Sequence, residues 1–198
     1  MKLNAMETIQ NGVQLGLKSF PALVVNGLLA GITFIVPYIN VGTYIGMYTI
    51  PAKMARDESL SMTEVLNPGN RKYFGEFFLC LGLMFMGILP AAIFLYFPAV
   101  VLGLSWMLAP LLVVDKNMQP LDAMRKSNEL TYGNKWPIFF ALLGTEIVIA
   151  IAFNLLRWLG GLIDPIVGLL LGLIVIILAM PIILGVIAEI YRKLTANA

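Results

Sequence analysis

The sequence predicts an all-α fold, a polytopic membrane helical bundle of about six transmembrane helices in three hairpins with an amphipathic helix before them. Hydrophobic residues make up 60% of the chain and charged residues only 12%, which is more apolar surface than a soluble domain of this length can bury. Twelve of the thirteen Lys and Arg residues fall in segments that can share one side of a membrane. Cytoplasmic loops are enriched in Lys and Arg, so the N- and C-termini are both predicted to be cytoplasmic.

The chain is predicted to form a single integral membrane domain over residues 1–198. Residues 1–19 are predicted to form an amphipathic helix that lies in the membrane interface, because apolar residues recur there at helical spacing. These apolar residues are Met6, Ile9, Val13, Leu17 and Phe20. Residues 20–190 are predicted to hold the six-helix bundle.

Three hairpins are predicted within the bundle, each made of two apolar stretches of about 20 residues, the length that crosses a hydrocarbon core about 30 Å thick. The hairpins cover residues 20–53, 74–114 and 136–189. Their outer turns are predicted at residues 37–40, 90–98 and 157–164, and these turns together contain one positive residue, Arg157. The low positive charge of the turns is typical of segments outside the cytoplasm.

Glu146 is the most unusual residue of the apolar stretches, because it lies near the middle of the predicted fifth span. A carboxyl at that depth costs a few kcal/mol on insertion scales, so such residues often have a role. One interpretation is a proton-coupled group or a ligand for a cationic substrate. The other is a neutral structural carboxyl that is hydrogen-bonded to a neighbouring helix. Its candidate polar partners in other spans are Asn26, Thr33, Tyr44, Tyr48 and Ser105.

The segment 114–136 is the best candidate for a docking surface on the cytoplasmic face. Pro120 opens a short amphipathic helix there, since proline is well suited to a first helical turn. The candidate docking residues are Asp115, Arg125, Lys126 and Ser127. They favour contact with a partner protein or an anionic lipid, although an interfacial helix with basic residues at the headgroups would by itself explain the charges.

Three pairs of glycines have the GxxxG spacing that lets helix backbones approach closely. They are Gly27 and Gly31, Gly42 and Gly46, and Gly168 and Gly172. They are interpreted either as packing positions inside the bundle or as the face of a homo-oligomer, and the oligomeric state is left open.

Residue types that usually carry catalysis are scarce. The chain has no histidine and one cysteine, Cys80, which removes the commonest general base and the commonest transition-metal ligands. It also lacks a phosphate-binding GxxxxGK[ST] loop and a Gly-x-Ser-x-Gly elbow. We therefore predict no enzymatic activity, no metal site and no cofactor. The net charge of +2 does not favour nucleic acid, and anionic headgroups are the expected counter-charge.

One stretch resembles a known family. Residues 106–139 read WMLAPLLVVDKNMQPLDAMRKSNELTYGNKWPIF, which is similar to the YciC-type inner-membrane proteins and to the membrane domain of some bacterial glycerophosphodiester phosphodiesterases. The matching positions are Pro110, Asp115, Pro120, Ala123, Met124, Ser127, Leu130 and Thr131. The resemblance implies the fold of that membrane domain and location in the bacterial inner membrane. It implies no phosphodiesterase activity.

Two functions are consistent with these features. The first is a non-enzymatic accessory or scaffold protein of the bacterial cytoplasmic membrane, which binds membrane lipids or a membrane-protein partner. The alternative is a small transporter or carrier of an amphiphilic substrate, which would use Glu146 and helices broken by proline. A carrier should have a polar cavity at the depth of Glu146, whereas a scaffold should be packed solid there.

The charge asymmetry generates a direct test of topology. Cysteines introduced at Asn67 and Asn117 should be protected from a membrane-impermeant thiol reagent in intact cells, because both positions lie in predicted cytoplasmic loops. A cysteine introduced at Gly161 should be labelled. The parent chain with only Cys80 gives the background, and labelling in the opposite pattern would overturn the predicted orientation.

Overall fold

The computed structural model describes residues 2–36, 39–94 and 96–196. Over these residues the chain forms α-helices and two short 3₁₀ segments, with no β-strand, so the all-α fold is confirmed. The helices are α1 (Ala5–Lys18), α2 (Phe20–Thr33), α3 (Ile39–Ala55), α4 (Phe74–Phe94), α5 (Tyr96–Trp106), α6 (Ala109–Lys116), α7 (Pro120–Thr131), α8 (Lys135–Gly161) and α9 (Pro165–Thr195). The 3₁₀ segments are Glu64–Leu66 and Pro68–Tyr73.

Four helical stretches of the described residues are long and apolar enough to cross a membrane, as in an integral membrane protein. They are Pro68–Phe94, Tyr96–Lys116, Lys135–Gly161 and Pro165–Thr195. The α1–α2 pair, which bends by 81°, would make a fifth if both helices formed one span. The count is therefore four or five, against about six expected from the sequence.

The difference lies in the predicted first hairpin. Its helices, α2 and α3, contain 14 and 17 residues, fewer than the roughly 20 that a straight span needs. The turn predicted between them includes residues 37 and 38, which lie outside the described residues.

The polar loop after α3 folds back along that helix. A Cβ added to Gly46 would lie 2.8 Å from the Cα of Val65, so the loop backbone lies directly against α3. The fully buried Asn26 of α2 fastens the same loop, since its Nδ2 donates to the carbonyl of Ser61 at 2.8 Å. The amide of Val65 donates to Asn26 Oδ1 at 2.9 Å. Both α2 and α3 therefore bury residues against polar backbone as well as against other helices.

The α1 helix packs antiparallel against the C-terminal half of α9 through a face of small residues. A Cβ on Gly16 would lie 2.2 Å from the carbonyl oxygen of Pro181, and a Cβ on Gly185 would lie 2.1 Å from that of Gly12. Beside this contact, Lys193 pairs with Glu7 at 2.7 Å. These distances show that backbone meets backbone, which only glycine permits.

The apolar stripe predicted for α1 faces away from this contact. Met6 is 64% exposed and Leu17 is 56% exposed, whereas Thr8 is buried with the two glycines. Ile9, Val13 and Phe20 are half-buried, and Ile9 packs beside Gly144 of α8. Only part of the stripe is thus free to meet lipid, and the interfacial location of α1 stays a prediction.

The long helices α8 and α9 form a hairpin with close contacts near its turn. A Cβ on Gly160 would lie 2.8 Å from the Cα of Gly168, and a Cβ on Gly172 would lie 3.1 Å from the Phe153 ring. Gly168 and Gly172 therefore serve packing inside the bundle. Among the other GxxxG positions, Gly27, Gly42 and Gly46 also meet neighbouring segments, and only an added Cβ on Gly31 meets open space among the described residues.

The main hydrophobic core surrounds α6, in which every residue from Ala109 to Val114 is buried. Phe77 of α4, Ile138 of α8 and Ile190 of α9 belong to the same core and have no exposed surface. By contrast, α9 exposes its large apolar residues between Ile166 and Leu178. The apolar surface that remains is thus concentrated on the outer faces of the long helices, where lipid would contact it.

The contact of α1 with α9 can be tested with Gly185→Ala. The added methyl would overlap the Gly12 carbonyl, and such overpacking costs about 1–3 kcal/mol. We expect a lower melting temperature in detergent, followed by intrinsic fluorescence. Gly82→Ala is the matched control, because a Cβ added there meets open space among the described residues. Equal melting temperatures for the two variants would contradict this packing.

Candidate functional site

The first predicted docking residue, Asp115, is an internal structural group. Its side chain is 1% exposed and forms an ion pair with Arg56, the residue directly after α3. The hydroxyl of Tyr191 on α9 donates to Asp115 Oδ2 at 2.7 Å, and Lys116 Nζ lies 3.5 Å from the same oxygen. A buried carboxylate needs such partners because an unpaired charge is costly away from water. Asp115 therefore connects α3, α6 and α9 and is not available for docking.

Ser127, also predicted to dock, is fully buried and closes the break between α5 and α6. Its hydroxyl donates to the carbonyl of Ser105 at 2.7 Å and accepts from the amide of Leu108 at 3.2 Å. Thr131 adds a longer contact to the same carbonyl at 3.4 Å. Helix breaks leave backbone groups without partners, and here hydroxyls of α7 satisfy them.

Most positions of the motif within residues 106–139 serve packing. Pro110, Pro120, Ala123 and Met124 are all buried, as are the hydroxyl residues at the helix break. Met124 in particular packs into the main core, whereas Leu121 on the same helix is 56% exposed. These positions build the contact of α7 with α4, α5 and α6.

The two basic docking candidates do lie on the outer face of α7. Arg125 has a side chain 77% exposed, and its Nη1 lies 3.6 Å from an Asp122 carboxylate oxygen. Lys126 Nζ lies 3.5 Å from Glu129. Each cation thus has an acid one turn away on the same helix, so this face carries little net charge for an anionic lipid to recognise.

Most other charged groups at this end of the bundle are also paired. The buried Glu189 accepts from Asn11 at 3.1 Å and pairs with Arg192 at 2.7 Å. Lys53 pairs with the buried Glu64 at 2.7 Å. In the loop after α3, the Lys18 ammonium hydrogen-bonds to Asp57 and lowers the pKa of that carboxyl. These pairs hold the segments together and leave little unbalanced charge for a ligand.

Glu146 is exposed on the outside of α8. None of its predicted partners reaches it. Asn26 bonds the loop after α3, Thr33 contacts Thr43 at 3.1 Å, and Ser105 donates to the Val101 carbonyl at 2.6 Å. Among the described residues the Glu146 carboxyl makes no hydrogen bond or ion pair, so the structural interpretation within one chain is not supported.

One ligand-sized feature of the described residues is an apolar groove of about 690 Å³. We call it the α8 groove. It lies between α5, the turn from α7 to α8, and the first half of α8. Its walls include Val100, Val101 and Leu104 on one side and Phe139 and Leu143 on the other. Such a lining suits a hydrocarbon chain.

Polar and aromatic groups mark one end of the α8 groove. Lys135 lines it, and its ammonium donates to Asn128 Oδ1 at 3.1 Å. Lys135 has no carboxylate partner among the described residues, unlike the basic residues of α7. Tyr132 and Trp136 line the same end and are 78% and 59% exposed. Tyr and Trp side chains of this kind favour the membrane–water interface.

A tight turn positions these groups. Gly133 has φ +75, a left-handed conformation that glycine adopts without strain, and it brings Tyr132 next to the start of α8. Trp136 then stacks on Phe140 with ring centroids 5.9 Å apart and contacts Phe97 at 6.4 Å. The ring contact with Phe97 joins α5 to α8 at this end of the groove.

The docking role of Arg125 and Lys126 on α7 stays a prediction, and the α8 groove begins one helix later in the chain. The sequence did contain a signal that could have pointed to Lys135 as a binding residue. No acidic residue lies near it, and a tryptophan follows it directly. The two walls of the groove come from residues about 40 positions apart in the chain, so only the fold could show that they lie together. No protein-family model, no curated protein and no solved structure matches this chain.

The role of Ser127 can be tested with Ser127→Ala. The substitution leaves the Leu108 amide without its hydroxyl partner and weakens satisfaction of the Ser105 carbonyl, which should cost about 1–3 kcal/mol. We expect a lower melting temperature in detergent. Ser59→Ala, at an exposed loop position, is the matched control and should melt like the parent. A stability unchanged by Ser127→Ala would remove the helix-break role.

Proposed function

We propose that this protein is a non-enzymatic accessory protein of the bacterial cytoplasmic membrane and that its α8 groove binds an anionic membrane lipid. The observation that carries the proposal is an apolar groove that ends at a lysine without a carboxylate partner. Both chain ends are placed on the cytoplasmic side, because the Lys and Arg bias favours this orientation. The resemblance of residues 106–139 to YciC-type inner-membrane proteins is consistent with this location.

The energetics assign different roles to the two ends of the groove. A lipid tail gains little by moving from the bilayer to an apolar groove, because both surroundings are hydrocarbon. Selectivity must therefore come from the headgroup, where one Lys contributes about 1 kcal/mol of attraction to an anionic lipid. Lys135 supplies this charge, while Tyr132 and Trp136 offer an O–H and an N–H donor beside it. Binding should be weak, exchangeable and selective for the headgroup.

The carrier alternative receives less support. It required Glu146 to line a polar cavity, and that residue lies on the outer surface of α8. The walls of the α8 groove are mostly apolar and do not include Glu146. The position of Glu146, which motivated the carrier hypothesis, therefore does not support it.

Native mass spectrometry with lipid mixtures tests the proposed site. In a mixture of phosphatidylglycerol and phosphatidylethanolamine, Lys135→Gln should reduce the phosphatidylglycerol adducts by about five-fold, because about 1 kcal/mol of attraction is lost. The loss should be larger at low salt, where charges are less screened. Val100→Trp, which fills the groove, should reduce adducts of both lipids.

The double variant Arg125→Gln/Lys126→Gln is the control. It removes two charges from the exposed face of α7, where each is already balanced by an acid, so adducts should change less than with Lys135→Gln. A larger loss from the double variant would place lipid binding on α7. No loss from any of the three variants would end the lipid-binding proposal.

A further inference from the structure

The middle and second half of α8 expose polar side chains at positions that would face only lipid in a single copy of the chain. Glu146 lies 11 residues after Lys135, which at 1.5 Å per residue is about 16 Å along the helix and near the middle of a core about 30 Å thick. Asn154 lies two turns further on and is exposed as well. Its Nδ2 donates to the Ala150 carbonyl at 2.8 Å, and its Oδ1 has no partner among the described residues.

These groups share one face of the helix. Glu146, Ala150 and Asn154 are spaced four residues apart, and residues at this spacing lie above one another on an α-helix. Ala150 and Asn154 line a shallow open depression of about 570 Å³ on the outer surface. A small residue between two polar ones allows another helix to approach closely while both polar groups meet it.

We propose that this face, called the α8 face, is the interface of a homodimer in which α8 packs in parallel against α8 of a second copy. The argument is polar complementarity at matched depth. Two copies inserted with the same orientation place Glu146 opposite Glu146 and Asn154 opposite Asn154. A neutral carboxyl carries both an O–H donor and an acceptor oxygen, so two opposed carboxyls can hydrogen-bond to each other. A carboxamide is also its own complement, because it has both N–H donors and a C=O acceptor.

The other possible occupants fit less well. A lipid headgroup does not reach the bilayer midplane, so lipid leaves Glu146 without a partner. The glycines at GxxxG spacing in α9 are already used against α8, so they do not supply a competing self-association face. Arg157, one turn beyond Asn154, lies near the helix end, where its long side chain reaches the headgroups.

Disulfide crosslinking in native membranes tests the interface. Ala150→Cys should give an oxidised product of about twice the chain mass of 21.7 kDa. Val148→Cys is the matched control, since Val148 is 66% exposed but lies about 160° around the helix from Ala150. It should give little product. Native Cys80 is buried and serves as the background in the parent chain.

Single-residue variants test the polar contribution in detergent, by the dimer fraction as a function of protein concentration. Glu146→Leu should weaken dimerisation by roughly 3- to 30-fold, the effect of losing interhelical hydrogen bonds in a membrane. Glu146→Gln should retain the dimer, because an amide pairs with an amide. Both variants should melt like the parent monomer, since the carboxyl makes no hydrogen bond within its own chain, and this separates lost association from misfolding.

Several results would overturn the proposal. Equal crosslinking at positions 148 and 150, or none at 150, would show that the α8 face is not the interface. A crosslinked product of another mass would show that a different protein occupies it. A parent chain that stays monomeric at all concentrations, or a Glu146→Leu variant that dimerises like the parent, would also refute it. Loss of lipid adducts in Lys135→Gln leaves this test unaffected, because the groove and the α8 face occupy different turns of α8.

Discussion

Satisfying the backbone groups at the break between α5 and α6 is the constraint on which the centre of the molecule depends. The break releases the Ser105 carbonyl and the Leu108 amide inside the core, where polar backbone groups need partners from the protein. Ser127 supplies both partners, so α7 must lie against the break. That position in turn fixes the turn at Gly133 and the start of α8. The hydroxyls of Ser127 and Thr131 therefore help to position the turn that borders the α8 groove.

Packing and charge are distributed unevenly along the long helices. Toward the end of α9, small residues bring α1 into backbone contact, and buried carboxylates such as Asp115 and Glu189 are paired by Arg56 and Arg192. Toward the turn between α8 and α9 the helices contact mainly each other. Breaking a buried pair is expensive because it leaves an uncompensated charge, so the polar end is the rigid one. The exposed apolar end is the part available to lipid or to another helix.

Composition and charge bias predicted the fold class, because both follow from the solvent that surrounds the helices. Composition and charge bias did not reveal that α3 packs against a polar loop. The sequence of an apolar helix looks the same whether protein or lipid surrounds the helix. Met124 and Ser127 show the same limit, because an amphipathic pattern does not say whether its apolar face meets a membrane or a core. The sequence predicted how deep Glu146 lies in the membrane, because that depth depends only on its position along the span. The side of α8 on which Glu146 lies could be seen only from the packing of α8 against α1, α5 and α9.

The proposed lipid site and the proposed dimer face are connected through α8 itself. Phe139 and Leu143 line the groove and lie seven and three residues before Glu146, so the groove and the α8 face are successive parts of one helix surface. A lipid tail held near Lys135 would extend toward Glu146, where an unpaired carboxyl is a poor neighbour for hydrocarbon. A second copy would cover that carboxyl and leave the apolar groove open below it. The first turns of α8 thus carry the proposed lipid site, and the later turns, which are apolar apart from Glu146, Asn154 and Arg157, carry the proposed dimer face.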